Sequence, residues 1–393
     1  MTLNRREFMG GLAGAVMLYV LDPRAAHAAA VDGLSATGAR LQDGRMLDQL
    51  RFVKEGNAPV NQAMGECLEG RLYTDLSTLQ PDALVTPTEA YYLRTRTPDK
   101  LDLSQPWTIR MDGLVASEVT VTMDDLKQMR VPCGTHVMEC SGNGAFGHFG
   151  MLSCASWAGA PIGEVFKKVS PLPAATHVLV SGFDEYSTVA EGTISIPGCS
   201  WIFPIDTLVK SGAFLATHMN DARLTPDHGA PVRLYVPNHY GCTCVKWVNE
   251  IRFVGPDEAA TAHMKEFAQR THQIGVPPLA RDFKPANIEQ AAMVVRVERW
   301  VSGKETIFRV VGVTWGGPKR TQKLLIRFHP QEKYVPVHDV APQTEGQPWE
   351  LWSHLWKASP GYYAIQLQVD DPEVRAPRLV SGFYTRSVEV PAS

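Results

Sequence analysis

An apolar run closes on a cysteine at His136-Val137-Met138-Glu139-Cys140 and is followed at once by Ser141-Gly142-Asn143-Gly144. A strand ending this way presents a thiol at its tip, over a turn whose glycines let a bulky group approach the backbone. Three chemistries fit that thiol. As a thiolate it is a soft metal ligand. With a base beside it (His136, His148 and His239 are the candidates) it is a nucleophile on a strand-to-turn elbow. With neither it is a small core hydrophobe, the commonest fate of a free cysteine. A second stretch, Asp227-His228-Gly229-Ala230-Pro231-Val232-Arg233-Leu234-Tyr235-Val236-Pro237, runs through Gly241 to Val245-Lys246-Trp247. It gathers His228, Arg233 and Lys246 around one apolar strand and the loop after it. Arginine donates in a fork and lysine acts as a point charge, so the group can hold an anion. An amphipathic strand with basic outward residues is the plainer alternative.

The elements that must carry these residues are short. Strand signals fall at Trp107–Met111 and Val119–Val121, with Asp112-Gly113 marking a turn, and at His136–Glu139, His177–Val180 and Val232–Val236, these three each bounded by Gly, Pro or Asp. Thr122 is an N-cap with Asp125 in the capping-box position, and Ile162–Val169 reads as a short helix between strands. Mixed short helices and strands predict an α+β domain over residues 29–285 rather than a doubly wound sheet. Pro277-Pro278 and the polar stretch Arg281–Gln290 mark a linker. Beyond it Val294–Val297, Ile307–Val313, Leu324–Phe328 and Tyr363–Val369 are strand-like, and the last alternates Tyr363, Ile365, Leu367, Val369 with Ala364, Gln366, Gln368. Such spacing predicts an all-β, immunoglobulin-like sandwich over residues 286–393, without the Cys…Trp…Cys pattern of antibody domains.

Lys and Arg number 38 against 41 Asp and Glu, a balance that points to neither nucleic acid nor an acidic surface. At the N-terminus, Asn4-Arg5-Arg6-Glu7-Phe8-Met9 precedes the apolar run Gly10–Leu21, too short to span a membrane, and Ala26-His27-Ala28 offers a cleavage point. Residues 1–28 therefore read as a twin-arginine export signal, placing the mature protein in the periplasm. The seven cysteines are an odd number for an oxidising compartment, so at least one thiol lacks an intramolecular disulfide partner. Cys242 and Cys244 stand too close for a relaxed bridge if Tyr235–Trp247 is extended. The sequence has no CxxC, no CxxCH and no zinc-type cluster, and no GxGxxG lies between a strand and a helix, so zinc, attached haem and nicotinamide chemistry are not expected.

Glu139-Cys140-Ser141-Gly142-Asn143 resembles the cysteine motif of the sulfite oxidase family, and His228-Gly229 through Arg233, Val236-Pro237, Gly241 and Val245-Lys246-Trp247 resembles its second long signature. Tyr91-Tyr92-Leu93-Arg94 is similar to its aromatic-aromatic-x-Arg segment, and Trp352–Val369 to the end of its C-terminal domain. The resemblance implies molybdenum on one pyranopterin (molybdopterin), with Cys140 as the metal's protein ligand. His228, Arg233 and Lys246 would bind the pterin and its phosphate, Arg94 would lie near the metal, reaching pterin or substrate, and Asn143 would shape the loop beside the ligand. It also implies a homodimer formed through the sandwich and, with no haem in this chain, an external cytochrome c as electron acceptor. Export already folded suits a cofactor inserted inside the cell.

Two departures bear on the substrate. Members that oxidise sulfite follow the motif's asparagine with arginines, where this chain has Gly144-Ala145-Phe146; and Thr95-Arg96 replaces an Asn-His pair, leaving Arg96 to compensate or to face solvent. Tyr186, after Asp184-Glu185, is the candidate active-site tyrosine. The sequence thus reads as a soluble oxidoreductase acting on sulfite or a related small sulfur substrate. A sulfane-sulfur dehydrogenase component and a sulfoxide-type reductase are alternatives on the same fold; a cysteine hydrolase using Cys140, or a non-catalytic binding protein, are alternatives of another class.

Overall fold

A computed structural model describes residues 44–189, 191–344 and 346–392. The export signal expected at 1–28 lies outside the described residues. Among these, α-helices are few and short, the longest being the seven-residue Met123–Met129. This corrects the α+β expectation: the chain is mostly β. The helical signals sit where expected but do not last. Thr122 Oγ1 accepts from Asp125 N at 3.2 Å while Asp125 returns to Thr122 N at 2.8 Å, closing the capping box. Ile162–Phe166 buries Ile162, Val165 and Phe166 and then stops.

Two sheets build the part that carries the thiol and the cations. In the first, Val131–Glu139, Leu152–Pro161, Phe214–Met219 and Ala222–Arg223 lie in that order, with Arg233–Tyr235 also paired to Phe214–Met219. The strand ending at Cys140 and the strand starting at Arg233 therefore belong to one sheet. Tyr235 Oη spans between them to donate to Val137 O at 3.1 Å. Trp157, Phe214 and Tyr235 stack beneath, with Phe214 and Tyr235 centroids 5.2 Å apart and nearly parallel. In the second sheet Val248–Val254 runs parallel to Thr108–Gly113 and antiparallel to His177–Gly182. Lys246 sits where the chain passes from one sheet to the other.

The C-terminal part holds two more five-stranded sheets. One is built on Ala291–Ser302, Glu305–Trp315 and Trp349–Trp356, the other on Leu324–Arg327, Gly361–Val369 and Arg386–Val390. The alternation in Gly361–Val369 holds, with Ile365 and Leu367 buried and Gln368 exposed. Gly44–Leu50 pairs with Ala291–Ser302, and Phe52–Val53 with Arg386–Val390, so this stretch edges both C-terminal sheets. Its near-continuous exposure gave no burial period to read. Trp315, Trp349 and Trp352 are fully buried, each a contribution on the order of 3 kcal/mol. The Trp349 Nε1 reaches back to Leu84 O at 3.1 Å. Among the described residues no helix is long and apolar enough to cross a membrane.

Candidate active site

Cys140 stands one residue past the strand Val131–Glu139, with its N–H donating to Met151 O at 2.9 Å. The following turn closes when Asn143 N donates to Cys140 O at 2.9 Å, and Asn143 Oδ1 accepts from Met151 N at 3.1 Å. Asn143 thus ties the two ends of the loop together from behind, with its Nδ2 buried and unpaired. The thiol faces a cleft whose wall includes Arg94, Asp184, Ser195, Arg233, Lys246 and His263. Burial pushes the Cys140 thiol up, and the charges of Arg94 and Arg270 oppose that, so a cation at the sulfur would complete the thiolate.

Among the described residues the cations on the wall are not ion-paired, although Asp184 and Asp227 line the same cleft. Arg233 Nη1 donates to His228 O at 3.1 Å and Nη2 to Cys244 O at 3.0 Å, while its Nε is buried without a partner. Lys246 Nζ donates to Thr95 O at 2.7 Å and Asp227 O at 3.0 Å, and burial, reinforced by Arg233, drives its pKa down to about 7. Backbone approach makes room for both. A Cβ on Gly182 would stand 2.0 Å from Lys246 O, and Gly229, with φ +102°, turns the chain beneath the Arg233 and Lys246 side chains. Arg94 is half-buried and hydrogen-bonds through Nη1 to Ser195 Oγ. Among the described residues none of these three cations has a carboxylate within ion-pair distance. Partly buried charges without a paired counter-charge are costly even when hydrogen-bonded to neutral groups, so the wall is suited to an anion supplied from outside the chain. A phosphate-bearing pterin holding a thiophilic metal fits this donor set of cations beside one thiol.

Other expected residues lie elsewhere. His228 sits behind Arg233, its Nδ1 2.7 Å from Thr225 Oγ1 and its Nε2 3.3 Å from Tyr91 O. Burial and Arg233 lower its pKa to about 4, so the ring is neutral and its backbone carbonyl, rather than its imidazole, meets Arg233. Tyr186 is off the wall, with its hydroxyl donating to Asp184 Oδ1 at 2.5 Å; Asp184 itself lines the cleft. Arg96 is spent on Asp227, at 2.9 Å, and on Gly65 O. None of the bases a cysteine hydrolase would need reaches Cys140. His136 is bound to Cys133 O, His148 to Glu55 and Ala58 O, and His239 to Pro237 O. All seven cysteines are free, and Cys242 lies in a 3-10 turn at Gly241–Thr243 rather than in the extended run considered for the Cys242–Cys244 spacing. The sequence offered no sign of Ser195, His263, Glu266 or Phe267, which reach the wall from segments without a motif.

Comparison with known proteins agrees with this donor set. Residues 94–262, which hold Arg94, Cys140, Arg233 and Lys246, match the oxidoreductase molybdopterin binding domain. A mitochondrial sulfite oxidase of Drosophila melanogaster is 25% identical over 70% of this chain and 51% of its own. An NADPH nitrate reductase of Beauveria bassiana is 30% identical over 45% of this chain and 21% of its own. The chain thus spans about half the length of the first relative, and less of the second. In fold, the sulfane dehydrogenase SoxCD from Paracoccus pantotrophus superposes with a TM-score of 0.60 at 16% identity, over 87% of this chain and 90% of that one. The chain thus carries an oxidoreductase molybdopterin binding domain over residues 94–262, is similar in sequence to sulfite oxidases and nitrate reductases, and shares its fold with that sulfane dehydrogenase.

Proposed function

We propose that this protein is a periplasmic molybdenum enzyme that oxidises a small sulfur compound, sulfite foremost, and passes the electrons to an external cytochrome c. The observation that carries the reading is Cys140 in one cleft with three cations that have no carboxylate partner. When bound, the cofactor supplies a two-electron couple for oxygen transfer. Cys140 ligates its metal. Arg233 and Lys246 hold the phosphate end, and Asn143 keeps the thiol loop closed behind the ligand. Arg94 offers its guanidinium to the substrate's charge, with Ser195 holding it in place. His228 stays neutral and fixes the carbonyl that orients Arg233. Tyr186 acts through Asp184, whose carboxylate it tethers.

A sulfane-sulfur substrate is the second reading. It is favoured by Gly144-Ala145-Phe146 standing where sulfite-oxidising relatives place arginines, with Phe146 70% exposed. We read the two C-terminal sheets as an immunoglobulin-like sandwich that forms a homodimer, and residues 1–28 as the signal that exports the loaded protein. Purified protein assayed for molybdenum, and for sulfite turnover with ferricyanide or cytochrome c against NAD, tests the proposal. Molybdenum with turnover confined to the one-electron acceptors supports it. Turnover confined to NAD, or protein from a molybdenum-replete host without the metal, refutes it, and loaded protein inert to sulfite moves the substrate to the sulfane reading.

A further inference from the structure

Glu139, the residue before Cys140, is a carboxylate with no solvent exposure at the tip of an otherwise apolar strand. Every partner it has comes from the C-terminal part of the chain. Trp315 Nε1 donates to Oε2 at 3.0 Å; Arg378 Nη1 donates to Oε1 at 3.0 Å, and Tyr384 Oη donates to the same oxygen. The guanidinium of Arg378 then straddles the cysteine: Nη2 donates to Ser141 O at 2.9 Å and to Arg270 O at 3.3 Å. Its flat faces lie against Tyr240 and Phe383, with centroids 4.6 and 4.8 Å away. The residues on both sides of Cys140 are therefore gripped by one arginine. Trp315 ends the strand Glu305–Trp315, Arg378 lies in the short helix Pro377–Val380, and Tyr384 precedes the strand Arg386–Val390.

Stability alone does not explain a buried carboxylate and arginine here, because apolar residues of the same volume would serve it as well or better. The pair does what an apolar contact cannot: it fixes direction on both sides of a residue whose sulfur must meet a metal within a few tenths of an ångström. We propose that Glu139 and Arg378 are positioning residues that aim the Cys140 thiolate, so that the C-terminal sheets form part of the metal site. The inference rests on the reading of Cys140 as metal ligand.

The test uses the molybdenum-loaded full-length enzyme in five forms: wild type, Glu139→Gln, Arg378→Met, Arg378→Lys and Glu298→Gln. The last is a matched control, because Glu298 is also buried, also bound by an arginine (Arg296, 2.7 Å) and also by a tryptophan (Trp300, 2.9 Å), but away from the cleft. Molybdenum content, thiolate-to-metal absorption, unfolding temperature, kcat and KM are read for each. Glu139→Gln and Arg378→Met shift the absorption band and lower kcat by about tenfold to a hundredfold with KM nearly unchanged, as misaimed catalytic groups do. Arg378→Lys recovers part of both. Glu298→Gln lowers the unfolding temperature and leaves band and kcat alone. A wild-type band in Glu139→Gln and Arg378→Met, or an equal shift in Glu298→Gln, overturns the proposal. If Arg378→Met does not fold, Tyr384→Phe removes one bond to Glu139 and must shift the band the same way by less; an unmoved band there overturns it equally. Wild-type protein without molybdenum would instead sink the reading of the cleft.

Discussion

Removing the cation at Lys246 should change not only how tightly the cofactor is held but how that affinity depends on pH. Its pKa falls from 10.5 to about 7, because burial and the neighbouring Arg233 both disfavour the ammonium. At about 1.4 kcal/mol per unit the shift amounts to at most on the order of 5 kcal/mol, less by whatever solvent reaches the half-buried side chain. An incoming phosphate dianion can return that energy by holding the lysine charged. Binding above pH 7 then takes up a proton, so affinity falls by up to about tenfold per pH unit between pH 7 and 9 and levels off below 7. Stability of the cofactor-free protein runs the other way. The folded pKa lies below the unfolded one, so this group's contribution is fully present above the unfolded value and is lost as pH falls toward 7. Lys246→Met keeps the stem and loses the charge. It should weaken binding at pH 7 by roughly ten- to a hundredfold, the worth of a charge-assisted hydrogen bond, and flatten the pH slope. Equilibrium dialysis of cofactor-free protein against a phosphate-bearing pterin at several pH values measures both. An equal slope in wild type and variant would refute the assignment of Lys246 to the phosphate.

Arg94→Met should lower kcat/KM by about ten- to a hundredfold while molybdenum content stays near wild type, since Arg94 is assigned to substrate and not to the pterin; metal loss in proportion to activity would contradict that division. Changing Arg5 and Arg6 to lysine should trap the protein in the cytoplasm, as cell fractionation would show, and normal periplasmic yield would remove the twin-arginine assignment.

How much of this could be read from the residues depended on whether a feature is local. The thiol at a strand end was legible because an apolar run, a cysteine and two turn-forming glycines are contiguous. Arg233 and Lys246 were legible for the same reason. What the order of residues hid was depth: His228 belongs to the same segment as Arg233 but lies off the wall in the 3-10 turn Pro226–His228, its ring taken up by Thr225 and Tyr91 O. Around residue 185 the sequence points to Tyr186, whereas Asp184, two positions earlier, is the one on the cleft. The grip of Arg378 on Glu139 joins residues 239 positions apart and leaves no periodicity behind it. Helix signals at Thr122 and Ile162 were placed correctly, but tertiary packing ended each helix within two turns, which is why an α+β expectation met a mostly β chain.

The most direct measurement is made on Cys140→Ser, a nearly isosteric change in which a harder, less electron-donating oxygen replaces the thiolate. Losing a buried sulfur that only packs should cost on the order of 1 kcal/mol of stability and leave turnover intact. If Cys140 is the ligand, the purified variant should fold, lose the thiolate-to-metal absorption and have no turnover, while Cys154→Ser, at a buried cysteine off the cleft wall, keeps both. Near-normal activity in molybdenum-loaded Cys140→Ser protein would contradict the assignment of the metal to this cleft.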